Sequence, residues 1–175
     1  MRDREVDRPD AAALVLCAIF NAFAFDWCIR QKIAATISLF MLYDCPAPTL
    51  SDAASGFLAH CALRLSRGHA GYERLWREQL NSPYVGDPED RATIRAAIDA
   101  VVARGYGLCR DDYRHILTGF SHKTHPAAPE QCLAEFDSLV ACGAPAFYRR
   151  HDPYDRPTAS ATLIPSTPAE RIPPA

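Results

Sequence analysis

With 175 residues, 49% of them apolar, the chain has the size and composition of one ordinary domain with a packed core, which excludes wholesale disorder. A net charge of −2, from 19 basic and 21 acidic side chains, excludes a protein that holds nucleic acid by bulk electrostatics alone. Seven cysteines, an odd number with no Cys-x-x-Cys pair, spell out neither a zinc ribbon nor a redox motif and read as small core residues in a reducing cytoplasm.

Residues 1–10, MRDREVDRPD, read as a frayed N-terminus, with Asp10 placed to cap the helix that follows. Their mixed charge is not that of a signal peptide. Asn21, Asp26 and Arg30 then interrupt the apolar run short of the ~20 residues of a membrane span, so no membrane association is expected. From Ala11 to Lys32 the pattern predicts one helix, with Asp26 four residues before Arg30, the spacing at which an acid and a base meet. Ile37, Leu39, Phe40, Met41, Leu42 and Tyr43 are too few for another helix before Pro46 and Pro48, which predicts a short buried strand at Thr36 to Tyr43.

Thr49 to Gly56 reads as a small-residue linker, and Phe57 to Leu65 and Tyr72 to Leu80 as two short amphipathic helices joined at Gly68. The run GDPEDRATIRAAIDAVVARGYG is the clearest helix start, with Asp87 as cap, Pro88 at the first helical position and Ile94, Ile98, Val101 and Val102 as the apolar stripe. Gly105 or Gly107 ends it. A helix from about Asp111 to Gly119 turns Tyr113, Ile116 and Leu117 inward. Pro129 and Glu130 open another, with Leu133, Phe136, Leu139 and Val140 apolar and Gly143 as its stop. From His151 the chain is rich in Pro, Ser and Thr without periodicity, which predicts a disordered tail with no core contact.

Two of these segments resemble one family. In the first, Asn21, Phe25, Asp26, Arg30, Gln31, Lys32, Ile33, Thr36, Phe40, Pro46 and Pro48 match the helix and strand of the target-recognition region in large adenine-specific DNA methyltransferases of restriction-modification and phage-exclusion systems. In the second, Arg91, Ile94, Arg95, Ala96, Ile98, Asp99, Ala100, Val102, Ala103, Tyr106, Gly107, Leu108, Asp112, Ile116, Leu117 and Phe120 fall in register with their C-terminal helical segment. Ala22, Ala34 and Ala35 stand where the family has a serine and two glycines, and SHKTHPAAPE replaces its glycine-tyrosine-arginine-threonine turn.

Adenine-N6 methylation uses an Asn/Asp-Pro-Pro-aromatic loop that grips a flipped base. Asn81-Ser82-Pro83-Tyr84 approaches that pattern but follows a polar helix end instead of a buried strand, and no glycine-rich loop for S-adenosylmethionine precedes it. The chain itself is therefore expected to be non-catalytic and to hold no cofactor, S-adenosylmethionine belonging to the parent family. His115, His122 and His125, with Cys109 and Asp112, lack a second pair at ligand spacing and read as solvated loop residues, so no metal site is expected. Ser121 and His122 show no nucleophile–base pattern. Arg64, Arg67, Arg74 and Arg77, near His69, form the densest basic stretch. With Arg30 and Lys32 they are the candidate DNA-phosphate contacts, which position a protein on the duplex without reading bases.

The expected fold is mainly α, a helical fragment with one short β-strand and a disordered Pro-rich tail. Residues 11–48 would be the helix–strand end of a target-recognition region, 49–150 a helical C-terminal segment and 151–175 the tail. The resemblance implies a non-catalytic C-terminal fragment of a restriction-modification methyltransferase. It would contribute to target recognition, bind double-stranded DNA weakly alone and dock onto a methyltransferase core in the cytoplasm. The alternative is a small helical, antitoxin-like interaction module with an exposed apolar partner surface. On the fragment reading, separation from the parent protein would leave Leu14, Phe20, Phe23 and Trp27 exposed.

Overall fold

The computed structural model describes residues 10–32, 38–82 and 90–154. Among these the chain is mainly helical and contains no strand. Its helices are α1 (Asp10–Phe20), α2 (Phe23–Arg30), α3 (Leu39–Tyr43), α4 (Asp52–Ser66), α5 (Glu73–Leu80), α6 (Arg91–Gly105), α7 (Arg110–Thr118), α8 (Ala128–Cys142) and α9 (Ala144–His151), with a 3-10 turn at Ala70–Tyr72.

The fold is organised around α6. Ile94, Ala96, Ala97, Ile98, Ala100, Val101, Val102 and Ala103 are all buried, so the helix is covered on every side, the behaviour of an all-round apolar helix. It packs most extensively on α8 and also against α4, α2 and α1, while α1 lies along α4. Alanine at so many of its positions lets these neighbours approach closely. One continuous core draws on α1, α2, α4, α5, α6, α7, α8 and α9, so the segments 11–48 and 49–150 share a single interior. The 48–50 segment crosses the end of α6, where the Gly105 carbonyl accepts the Thr49 N–H at 2.8 Å. A Cβ at Gly105 would lie 2.9 Å from Pro48 Cβ, so only glycine allows the crossing.

Several expectations are corrected here. The predicted single helix to Lys32 is two helices bent by 69°. Asn21 turns its amide back onto the Cys17 carbonyl at 2.8 Å, ending α1, and Asp99 of α6 accepts the Phe23 N–H at 2.7 Å, starting α2. No single described helix is long and apolar enough to cross a membrane. Leu14, Ala18, Ile19, Phe25 and Ile29 of the bent pair are buried in the chain's own core.

The predicted strand falls partly on residues 33–37, outside the described residues. Its remainder is α3, a short helix whose Ser38 hydroxyl accepts the Met41 N–H. Asp52 to Gly56, read as linker, forms the first turn of α4, capped by the Ser51 hydroxyl on Ala54 N–H at 3.2 Å. Asp87 and Pro88 also lie outside the described residues. Asp90 is the N-cap of α6, accepting from Ala92 N and Thr93 N. The stripe of four aliphatics on α6, and the three inward residues of α7, are buried as expected. Of the apolar residues named on α8, Phe136 and Leu139 are buried, Leu133 is half-buried and Val140 is exposed.

Core packing extends past the boundary predicted at His151. α9 follows Gly143, whose φ of +76° suits glycine, and buries Phe147 and Tyr148. Beyond it Asp152 is buried and Tyr154 sets its ring edge-on to Trp76 at 5.4 Å, so residues past His151 do join the core. From residue 155 the expected disordered tail lies outside the described residues. Of the four apolar residues expected on the surface, Leu14 is buried, Phe23 and Trp27 are half-buried and Phe20 alone is exposed.

Candidate functional site

The six basic candidates do not form one open patch. Arg30 makes a two-bond pair with Asp26, both at 2.9 Å, and lies 4.8 Å from the Phe120 ring centre. That pair holds its guanidinium charge more firmly than usual, through the hydrogen bond and then the neighbouring carboxylate. Lys32 Nζ donates to the Asp44 carbonyl at 2.7 Å. Arg64 is buried and donates to the His151 carbonyl at 2.7 Å, which takes it off any duplex-facing surface. Arg67 stacks its guanidinium 4.9 Å from the Trp76 ring centre. Arg74 pairs with Glu78 at 2.9 Å and Arg77 with Glu73, both pairs exposed along α5. A phosphate would have to displace these carboxylates, and exposed pairs of this kind cost only about 0.3–0.5 kcal/mol to break.

A different surface is open. Leu39, Phe40 and Tyr43 of α3 are 69%, 72% and 80% exposed, the largest exposures of bulky apolar side chains among the described residues. Leu39 and Tyr43, one turn apart, share a face of the helix. Met41 and Leu42 are turned inward and half-buried, with Leu42 against the core, so the helix is anchored on one side while the other is offered to solvent. Lys32 holds its C-terminal end through Asp44, and Tyr106 donates from its hydroxyl to the Pro46 carbonyl at 3.0 Å just beyond.

Two buried polar clusters went unnoticed in the sequence. His60 Nδ1 lies 2.6 Å from Asp152 Oδ2, and Asp152 also accepts the Tyr154 N–H at 3.0 Å. Beside it His151 Nε2 stands 2.9 Å from Glu135 Oε2, close enough for an ion pair though off-line for a hydrogen bond. Burial of His151 disfavours its charged form and outweighs the pull of Glu135. These contacts fasten the end of α9 to α4 and α8, and the residues involved are too far apart in sequence for any spacing to signal them.

The second cluster surrounds Asp99. Full burial pushes its carboxyl up to about 7, against the Phe23 N–H that favours the ionised form. Tyr113 and Cys132 face it, both raised by burial first and by the Asp99 charge second, the cysteine to about 12. An aspartate inside the run Ala96 to Ala103 was the available signal.

Among the described residues no group of three or more His, Cys, Asp or Glu side chains could hold a metal ion. Nor is His122 a solvated loop residue: it is half-buried, bonds the Leu117 carbonyl at 2.8 Å and sets its ring edge-on to Phe23. Cys109 caps α7 in a capping box with Asp112, and Asn81, at φ +45°, is the left-handed C-cap of α5. Pro83 and Tyr84 lie outside the described residues. No protein-family model, curated protein or solved structure matches the chain.

Proposed function

We propose that this chain is a non-catalytic helical module that docks, through α3, onto the core of an adenine-N6 DNA methyltransferase of the restriction-modification type, and contributes to target recognition there. The observation that carries the reading is the exposure of Leu39, Phe40 and Tyr43 on a helix anchored by its other face. This segment is apolar enough to have read as a buried strand, yet the described residues leave it uncovered. The family resemblance supplies the occupant, since its first segment ends at the target-recognition strand and Pro46 and Pro48 follow α3 here. The cytoplasm is where such a complex would work, and S-adenosylmethionine would belong to the core and not to this chain.

Mixed with an adenine-N6 methyltransferase core of the restriction-modification type, the purified chain should co-elute as a stoichiometric complex in size-exclusion chromatography. Alone it should show no saturable S-adenosylmethionine binding by calorimetry. Independent elution of the two proteins at micromolar concentration, or cofactor binding by the chain alone, would contradict the proposal.

Direct contact with duplex DNA is the second reading, favoured by the exposure of Arg74 and Arg77, whose side chains are 78% and 63% accessible. Binding by the isolated chain should be weak and fall with salt at a log–log slope of about −0.9 per phosphate contact. Replacing Arg74 and Arg77 by alanine should reduce that slope by up to roughly two units without changing base preference. An unchanged slope would leave α5 as a solvated face.

A further inference from the structure

Cys28 on α2 and Cys45, two residues past α3, are both half-buried and reduced, and their thiols stand beside one another. Two hydrogen bonds hold them in register. Lys32, one turn after Cys28, donates to the carbonyl of Asp44 at 2.7 Å and so ties the residue before Cys45 to the end of α2. Tyr106 donates to the carbonyl of Pro46 at 3.0 Å and pins the residue after it. Cys45 Sγ itself reaches the Met41 carbonyl at 3.4 Å. Burial and then the neighbouring Cys45 thiol raise the Cys28 thiol above its ordinary range, and the Lys32 ammonium offsets only part of this, so it is the adjacency of the two sulfurs that makes a pair of them. The remaining cysteines are placed differently, with Cys61 and Cys132 buried and Cys17, Cys109 and Cys142 exposed.

We infer that Cys28 and Cys45 form a redox-active dithiol, which a low-molecular-weight disulfide such as oxidised glutathione closes into an intramolecular disulfide. One of the two thiols loses its proton and attacks a sulfur of the oxidant. A mixed disulfide forms, the oxidant's own S–S bond breaks, and the departing half leaves as a thiolate that takes up the proton. The second cysteine, after losing its proton, attacks the protein sulfur of the mixed disulfide and expels the other half in the same way. Two protein thiols are thereby oxidised by two electrons, and one oxidant disulfide is reduced to two thiols. In a reducing compartment a bond of this kind is transient and signals redox state. Closure fastens the 38–45 arm, and with it α3, covalently to α2. Its effect on docking rests on the function proposed above; the bond itself does not.

The test is non-reducing peptide mapping of the full-length native chain after incubation with oxidised glutathione at about pH 9, chosen because the Cys28 thiol is raised above its ordinary range. The expected result is a linked Cys28–Cys45 peptide as the main product at these two positions, with glutathione adducts on the exposed Cys17, Cys109 and Cys142. Cys28→Ser and Cys45→Ser should each convert the remaining member of the pair into a glutathione adduct, and Cys142→Ser should keep the linked peptide. Recovery of Cys28 and Cys45 as separate adducts, or as free thiols once the exposed cysteines are modified, would overturn the inference.

Discussion

Replacing Trp76 by alanine should destabilise the chain by about 3–5 kcal/mol, the range for removing a fully buried large aromatic. Trp76 is fully buried, and it is the point at which three parts of the chain meet. Its ring receives Tyr154 edge-on at 5.4 Å on one side and the Arg67 guanidinium at 4.9 Å on another, while Leu80 buries beside it one turn along α5. α5 has only 8 residues, too few to be stable as an isolated helix, so its place depends on this packing. Urea unfolding followed by far-ultraviolet circular dichroism measures the loss. A change below about 1 kcal/mol would mean that α5 and the residues after α9 are not part of the cooperative core.

The second large effect depends on pH and comes from Asp99. Its carboxyl is raised to about 7 in the folded chain, against roughly 3.9 when unfolded. A folded-state pKa above the unfolded one means that the folded chain holds a proton which the unfolded chain has released. The resulting stability is therefore fully present below about pH 4 and is lost as pH rises through about 7. Between about pH 5 and 8 the native chain should lose about 2–3 kcal/mol through this group. Asp99→Asn keeps an oxygen for the Phe23 N–H but cannot ionise, so the variant should gain on the native chain by that amount across the same interval. Asp99→Ala behaves differently, because the Phe23 N–H loses its acceptor and the start of α2 is weakened by about 1–3 kcal/mol at every pH. Urea midpoints for the three proteins at both ends of the interval measure this; a pH-independent difference between the native chain and the Asp99→Asn variant would show that the carboxyl is ionised throughout.

Where local rules decide the outcome, the sequence was legible. The aliphatic spacing of α6 and the inward face of α7 needed only helical periodicity, Asp26 and Arg30 met at the distance their spacing demands, and Gly143 stopped α8 because the chain there requires positive φ. The misreadings trace to partners remote in sequence. The break between α1 and α2 needs an acceptor at Phe23 N–H, and that acceptor is Asp99, whose place in the apolar run of α6 marks it as unusual without showing which N–H it meets. The small residues after Ser51 suggested a linker, whereas they form the first turn of α4, with Ala54 buried in the core. α9 was hidden by the polar residues around Phe147 and Tyr148, although Pro145 after Gly143 is an ordinary helix-opening pattern.

The candidate site was less legible still. Charge density singled out Arg64, yet burial and the His151 carbonyl claim it, because a guanidinium can cover apolar surface and satisfy a remote carbonyl at once. The apolar run at Leu39 to Tyr43 was recognised as material that needs covering, but was expected to be covered within the fold. Its exposure on α3 is what moves the account from DNA contact towards docking.

The most direct measurement is a calorimetric titration of the chain against an adenine-N6 methyltransferase core of the restriction-modification type, comparing the native protein with a Leu39→Ser, Phe40→Ser, Tyr43→Ser variant. These side chains are exposed, so the variant should keep the native circular dichroism spectrum and urea midpoint. If α3 is the docking face, the native chain should bind saturably with one-to-one stoichiometry, and the variant should bind at least about a hundredfold more weakly, as expected when central apolar anchors of an interface are removed. Equal affinity for the two proteins would contradict the account.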